Sequence, residues 1–505
     1  LYVVDGVPLN NTNGGDVEKN QGFYTAAPKG EGIADFNPED IESMSVLTGP
    51  AAAALYGSNA ANGAILITTK KGAAGKPKIT LSHNTDFSNP FVTPRFQNTY
   101  GNKPGEFSSW GDKLATPSSY DPLNFFRTGY NTTTALSISL GNEKNQTFAS
   151  ASSTTAEGII PNNKYQRYNF TVRNTSNFFN DRMTLDLGFS YVIQKDQNML
   201  SQGQYFNPIV PLYLFPRGED FTPYRMYERY DEGRQLMTQH WPYGEMGMAM
   251  QNPYWINYRQ LRNNNKDRYM LNASLNYKIL DWLSVSGRVR LDNSFNDYTE
   301  KYYAGTNTQM TEASTRGLYT ISKTTDKQLY ADFLININKS FGENWNLSAN
   351  IGTSFMDMRS DGLEVRGPIA DENFEGETPG LANVFNVQNL SAKKTKRMQN
   401  GWREQTQSVF ASAELGYKST YYLTLTGRND WASQLKGSNP TSFFYPSVGL
   451  SAVISEMVTL PKAIDYLKVR GSFSSVGTPY PRFLVQPTYS YDPTKQDWNA
   501  KTHYP

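Results

Sequence analysis

The 505 residues contain no cysteine, which excludes disulfides, thiol catalysis and thiolate metal sites. Histidine is nearly absent: only His83, His240 and His503 occur, too few for a histidine-built metal centre or catalytic triad. Charge of either sign is not in excess. Lys and Arg total 48 against 46 acids, a net charge of +2, so the chain lacks the basic surplus that nucleic-acid binding demands. No apolar run approaches the 18 residues of a membrane-crossing helix. That absence does not exclude a membrane protein, because a transmembrane β-barrel spends only every second residue on lipid. Catalytic signatures are missing too. There is no GxSxG elbow, and GAAGK (72–76) is too short for a phosphate-binding loop. Acids such as Glu219 and Asp220 can in principle form a glycosidase pair, but in a polar loop the expectation is plain solvation. The Asn- and Asp-rich stretches Asn13–Asp16 and Asp292–Asp297 offer oxygen ligands, yet neither follows an EF-hand pattern. No cofactor, no metal and no enzymatic activity are expected.

What the chain has in quantity is aromatics, 13 % of residues, which suits strands and interfaces. Leu1 opens directly on an apolar strand with no leader before it, and WNAKTHYP stops within a polar stretch. The chain reads as a segment of something longer, with any export signal outside it.

Residues 1–75 form one unit. Leu1–Val4 is a short apolar strand stopped by Asp5-Gly6. Residues 10–35 are polar and glycine-rich loops. Asn37-Pro38-Glu39-Asp40 reads as a brief capped helix, followed by a strand at Ser45–Leu47. Pro50, four alanines, Leu55 and Tyr56 predict another helix ended by Gly57. Asn62-Gly63 then turns into a last strand, Ala64–Thr69. The pattern is a small mixed α/β unit, and on its own it leaves open what that unit packs against.

From residue 76 to 505 the period is two. Leu283, Val285, Gly287, Val289 and Leu291 share one face, while Ser284, Ser286, Arg288, Arg290 and Asp292 share the other. Leu347, Ala349, Ile351 and Phe355 repeat the pattern, as do Val409, Ala411, Ala413, Leu415 and Tyr417. About thirteen strands of about ten residues are expected, the length of a tilted membrane-crossing strand. Tight turns fall at 141–145, 178–181, 280–282, 342–346 and 417–420. Longer links alternate with them, near 89–128, 158–163, 197–265, 297–320, 358–403 and 434–442. Such strict alternation is the sidedness of an outer-membrane barrel. Phe178, Tyr277, Trp282, Trp345, Tyr417 and Tyr421 flank the short turns, as an aromatic girdle would.

The run LYVVDGVPL, and then FNPEDIESMSVLTGPAAAALYGSNAANGAILITTKKG, resembles the plug of SusC/RagA-type TonB-dependent outer-membrane transporters. The signature positions are Asp5, Gly6, Gly49, Tyr56, Gly57, Asn59, Ala60, Asn62 and Gly63. FFRTGYNTTTALSISLGN and LPKAIDYLKVRGSF resemble barrel segments of that family more loosely. The resemblance implies a mainly β fold: a barrel of 22 strands, about thirteen of them in this segment, around a mixed α/β plug. It implies TonB-dependent import of an oligosaccharide or oligopeptide beneath a SusD-like surface lipoprotein. The TonB–ExbB–ExbD complex would pull on the plug, through a TonB box preceding Leu1, and outer-membrane lipid would surround the wall.

Within that picture, Trp241, Tyr243, Tyr254, Trp255 and Tyr258, with Met246, Met248 and Met250, offer flat and adaptable surfaces for sugar rings or peptide side chains. The blander alternative, which a loop this long favours, is that they pack the loop's own small core. Asn10, Asn13, Asp16, Phe23 and Tyr24 of the plug form a second candidate group facing ligand from below. Three rival readings have their own consequences. A secreted β-rich glycan-binding protein or adhesin would bury its apolar faces as a sandwich. A β-rich glycoside hydrolase would need an acid pair. A siderophore or cobalamin receptor would share the fold but not the plug signature.

Overall fold

The computed structural model describes the chain apart from residues 12–31, 48–51, 53–55, 104–105, 107–109, 202, 244–249, 460, 462–463, 478–479, 486–487, 493–496 and 502–505. Two bodies of β structure dominate the described residues, with a separate two-stranded hairpin, Thr488–Asp492 and Asp497–Lys501, near the end. The first is a four-stranded sheet from β1 (Tyr2–Val4), β2 (Val7–Pro8), β3 (Ile41–Leu47) and β4 (Ala64–Thr69), in the order β2-β1-β4-β3. The two apolar runs, β1 and β4, pair in parallel at the centre, and Val3 and Val4 are buried on opposite sides of the sheet. Asp5 and Gly6 take positive φ to make the β1–β2 turn, which glycine does at little cost. The expected helix at Asn37–Asp40 is a single 3-10 turn, Pro38–Asp40, with the Asn37 side chain accepting from the Glu39 amide. Strand β3 begins at once after it, four residues earlier than the sequence suggested. Of the predicted alanine helix only Ala52 and Tyr56 are described, both helical.

The second body is a 13-stranded antiparallel sheet. Its strands begin with β5 (Gly75–Ser88), β6 (Gly129–Gly141), β7 (Asn145–Glu157), β8 (Lys164–Phe178) and β9 (Met183–Gln197). A long excursion follows, carrying α1 (Ile209–Leu214), the hairpin β10 (Glu228–Asp231) and β11 (Leu236–Gln239), and α2 (Pro253–Arg259). The wall resumes with β12 (Gln260–Leu280), β13 (Leu283–Tyr303), β14 (Gly317–Phe341), β15 (Trp345–Pro368) and β16 (Lys396–Tyr417). It continues through β17 (Tyr421–Ala432), β18 (Phe443–Val453) and β19 (Lys468–Ser474). Each wall strand pairs with its neighbour in sequence, β9 pairing β12 across the excursion. No described helix is long and apolar enough to cross a membrane.

The strand count agrees with the sequence, but the strand lengths do not. Strands β12 to β16 run 21 to 25 residues, twice the expected ten. Strand β15 shows why. Its outward register reads Trp345, Leu347, Ala349, Ile351, Thr353, Phe355, and then Asp357, Arg359, Asp361. Asp357 pairs with Arg403 across the strand, and Arg359 with Asp361 along it. An apolar band of eleven residues is what a bilayer requires. Above it the backbone ladder goes on, with charged side chains on its outer face. The outer links accordingly shrink to 304–316 and 369–395, and β12 starts at Gln260. The alternation of short and long links also fails once. The β18–β19 link, 454–467, lies on the short-turn side and is fourteen residues long.

Burial reverses the pattern of a soluble sandwich. Outward-pointing Phe170, Leu271, Val289, Phe333, Ile351, Val409 and Leu425 are each 44 to 51 % exposed. Inward-pointing Arg268, Arg290, Asp292, Gln328, Ser408 and Asp430 are each 4 % exposed or less. A continuous apolar outer band of this extent has no stable place in water. The apolar faces therefore do not meet in a sandwich core, and the secreted-sandwich expectation is not met.

Candidate functional site: plug seat and outer loops

Charged residues are almost never fully buried unless paired, and the inward wall residues are paired with the plug. Arg268 of β12 joins the two bodies. Its Nε and Nη2 donate to both carboxylate oxygens of Asp292 at 2.9 and 2.6 Å. Its Nη1 donates to Asp35 of the plug at 2.6 Å, and Nη2 also donates to the Asn10 carbonyl at 2.9 Å. Lys266 completes the group on the other Asp35 oxygen at 2.6 Å. Neighbouring wall side chains hold plug backbone directly. Arg290 donates to the Val4 carbonyl at 3.0 Å, Gln328 to Pro8 at 2.9 Å, Asn169 to Asp35 at 2.5 Å, and Arg167 to Ala34.

A second anchor lies at the end of β4. Asp5 accepts from the Thr69 amide and hydroxyl at 3.0 and 2.7 Å. Arg173 of β8 reaches the Thr69 carbonyl at 3.1 Å while forking onto Asp186. It also lies 3.3 Å from Asp5. The signature glycines sit where wall charges press closest. A methyl on Gly6 would overlap the Arg288 guanidinium, which forks onto Asp332. One on Gly57 would meet Asp430 at 3.1 Å, beside the buried Arg428–Asp430 pair. Both glycines hold positive φ. Ala60 is wholly buried in the plug core, with Tyr56 packed against it. Asn59 is exposed, and Asn62-Gly63 turns the chain into β4. Gly49 lies outside the described residues.

Gly72 gives the first test. A methyl there would run into the backbone of Gln146 and Thr147 in β7, which cannot swing aside as a side chain can. Gly72→Ala is expected to destabilise by about 1–3 kcal/mol, as overpacking does. Thermal unfolding of the intact protein in detergent checks it, and an unchanged midpoint contradicts the tight plug-to-wall junction.

The outer links hold the candidate aromatics. Trp241 and Tyr243 are buried in a cluster with Phe125, Leu212, Phe215 and Phe221. Trp241 meets Phe215 at 5.4 Å and Tyr224 at 5.5 Å between ring centroids. Trp255 is wholly buried in α2, its indole N–H donating to Thr306 at 3.0 Å. The loop's own core thus covers the faces of these three rings, and Met250 is buried beside them. Tyr254 and Tyr258 are half-buried, Tyr258 stacked on Tyr227 at 5.3 Å. Among the plug candidates, Asn10 is buried beneath Arg268. Asn13, Asp16, Phe23 and Tyr24, with Met246 and Met248, lie outside the described residues.

The acid stretches have structural partners. Asp292 pairs with Arg268 and Asp297 with Lys323. Glu219 accepts from Asn102, and Asp220 caps the Thr222 amide. In the link after β15, buried Asp371 accepts from the Thr315 amide and hydroxyl at 2.6 and 2.8 Å and from Asn373 at 3.0 Å. Burial alone would raise its pKa, but these hydrogen bonds outweigh it and hold the carboxyl below its usual value. A carboxyl depressed on folding stabilises fully above its unfolded value, about 3.9, and less as pH falls through the folded value. Protease resistance of the 369–395 link should therefore persist at pH 5 and fall only below about pH 4. Asp371→Asn should remove that dependence.

Residues 1–64 match the family described as the TonB-dependent Receptor Plug Domain. The chain is 25 % identical to TonB-dependent receptor P3 of Formosa agariphila over 88 % of its own length and 42 % of that protein's. It is 26 % identical to TonB-dependent receptor SusC of Bacteroides thetaiotaomicron over 55 % of its length and 27 % of that protein's. It therefore spans less than half the length of these relatives. A structure of the RagAB peptide transporter superposes on the whole chain and 57 % of that one, with a TM-score of 0.71 at 18 % identity, a likeness of fold. A charged plug seated against the inner face of a polar-in, apolar-out β wall defines a TonB-dependent receptor. The plug-domain match, the likeness to the receptors P3 and SusC and the likeness of fold to the RagAB transporter together support a SusC/RagA-type TonB-dependent transporter.

The seat itself was missed in the sequence. Arg288, Arg290 and Asp292 were placed together on the polar face of β13, but nothing local distinguishes a wall charge that faces solvent from one that grips a plug. The density of Arg and Asp in that register was the available signal.

Proposed function

We propose that the intact protein imports a nutrient, an oligosaccharide or oligopeptide, across the outer membrane in a TonB-dependent manner. The observation that carries this reading is the plug's mode of attachment. It is held by ion pairs and side-chain-to-backbone hydrogen bonds, while the wall is held by its own continuous ladder. Local unfolding can then release part of the plug without disturbing the wall. The outer membrane has no ATP of its own, so the work comes from the TonB–ExbB–ExbD complex acting on a TonB box ahead of Leu1. In the intact barrel of 22 strands further strands pair with β5 and β19, whose free edges a bilayer would not tolerate. The unit at residues 1–75 is the plug, and residues 76–505 are wall with its loops. A SusD-like surface lipoprotein covers the outer mouth. Of the aromatics singled out in the sequence, the half-buried Tyr254 and Tyr258 are those left to meet cargo, and Asn13, Asp16, Phe23 and Tyr24 remain candidates from the sequence alone.

The test is fractionation of producing cells, then native purification of the full-length protein from the outer membrane in mild detergent. Mass spectrometry of co-purifying species is the readout. Recovery with a surface lipoprotein and a bound glycan or peptide supports the importer and names its cargo class. Recovery as a soluble, partner-free protein overturns it.

A further inference from the structure

On the outer loops, Arg217 is 4 % exposed and its Nη2 has no hydrogen-bond partner among the described residues. Its position follows from α1. The chain leaves that helix through Phe215, wholly buried in the aromatic cluster, and Arg217 is drawn in two residues later. The guanidinium lies 4.5 Å from the Phe96 ring centroid and 5.0 Å from that of Tyr120. Both rings also touch α1. Tyr120 donates to the Leu212 carbonyl at 2.8 Å, and Phe96 rests on Tyr213 at 5.3 Å. Every other buried cation described above has a carboxylate or carbonyl acceptor, whereas no described carboxylate pairs with Arg217. The nearby acids make their hydrogen bonds elsewhere: Asp121, whose charge acts on Arg217 only through space, caps the Leu123 amide, Glu219 accepts from Asn102, and Asp220 from Thr222.

Two cavities, of about 290 and 310 Å³, open between the 89–128 and 198–259 links, and Arg217 lines both. Ser118, Ser119, Tyr120 and Asp121 line both as well, and Glu219 and Asp220 line the second, so an oxyanion must seat on the Arg217 side of each. An aromatic-flanked guanidinium keeps its charge while its hydrogen-bonding edge stays open, and a forked edge is the group that matches an oxyanion. A buried cation without a partner is costly, and burial lowers the Arg217 pKa accordingly. A ligand oxyanion supplies the missing partner.

We propose that Arg217, between Phe96 and Tyr120, forms a subsite on the outer loops for one oxyanion group of the ligand: a carboxylate, sulfate or phosphate. Cavities near 300 Å³ admit a single charged substituent or sugar ring, at the small end of ligand sites. The subsite therefore reads one charged group rather than a whole chain. It rests on the import reading only in taking that ligand to be cargo.

The test is calorimetric binding to the intact purified protein of probe pairs that differ in charge. Glucuronate and glucose 6-sulfate are each compared with glucose, and N-acetyl-dialanine acid with its amide. A sugar preference or a peptide preference separates the two sources. The charged member of at least one pair should bind roughly ten- to a hundredfold more tightly, the effect of one charge-assisted contact. Arg217→Met, which keeps the stem between the rings, should abolish the preference, and Arg217→Lys should restore part of it. Hydrogen exchange at 209–215 shows whether each variant keeps the loop folded. No charge preference in the wild type overturns the proposal whatever the variants do, and so does a preference that survives Arg217→Met in a folded loop. Binding in detergent requires neither an energising complex nor a lipoprotein. A protein that binds oxyanions but imports nothing fails the import reading alone, and an importer indifferent to charge fails only this one.

Discussion

Arg268→Ala is expected to unseat the plug while leaving the wall folded. Among the described residues, the substitution removes the only hydrogen-bonding partner of the Asp292 carboxylate, which is fully buried, and half of what holds Asp35, also fully buried. Breaking a buried ion pair by deleting one member costs about 3–5 kcal/mol, because the other charge is left uncompensated. In a native-state exchange experiment on the intact protein, that corresponds to amides of β4 opening roughly 100- to 5000-fold more often. The amides of β14 and β15, paired to each other along their whole length, should exchange at the wild-type rate. Lys266→Ala should cost less, since Asp35 keeps Arg268. Pairing Arg268→Met with Asp292→Asn should recover much of the loss, because both charges then go together. Uniform acceleration across plug and wall would mean that the two bodies unfold as one, and would remove the physical basis for a plug that yields first.

The same residues show what was legible in the sequence. The plug strands were readable because they are local: YVV and AILITT are apolar runs bounded by Asp5-Gly6 and Asn62-Gly63, and the structure ends β4 at Thr69 as expected. The wall was readable in its membrane band because lipid outside and polar lumen inside enforce a period of two. Above Phe355 that enforcement stops. Asp357, Arg359 and Asp361 break the apolar register on the outer face, so the upper ends of β13, β15 and β16 read as loop.

The loops divided along a different line. That Trp241 and Tyr243 belong to the loop's own packing follows from contacts with Phe125, Leu212 and Phe215, up to 118 residues away in sequence, and Trp255 is fixed by Thr306 on another link; no short-range pattern encodes such contacts. Arg217 escaped notice for a similar reason. Nothing in LFPRGED distinguishes an arginine enclosed by Phe96 and Tyr120 from one in solvent. A site assembled across links is set by tertiary packing, whereas a strand is set by its period.

The membrane band itself yields the second large effect. Ile351 points outward from β15, is 51 % exposed, and lies six residues beyond the girdle residue Trp345. Leu363 points the same way and is 54 % exposed, but it lies eighteen residues beyond Trp345, about 60 Å along the strand. Ile351→Arg is expected to destabilise the intact barrel by about 2–4 kcal/mol, the cost of arginine near the bilayer midplane, and Leu363→Arg by about 0–1. Reversible unfolding of the full-length protein in lipid vesicles measures both. In water the two positions are equivalent: exposed, on one strand, on one face. Only a slab of hydrocarbon covering Trp345 to Phe355 and ending below Asp357 can separate their costs. Equal costs would refute that placement of the membrane, and with it the inside-out reading of the wall on which the seating of the plug depends.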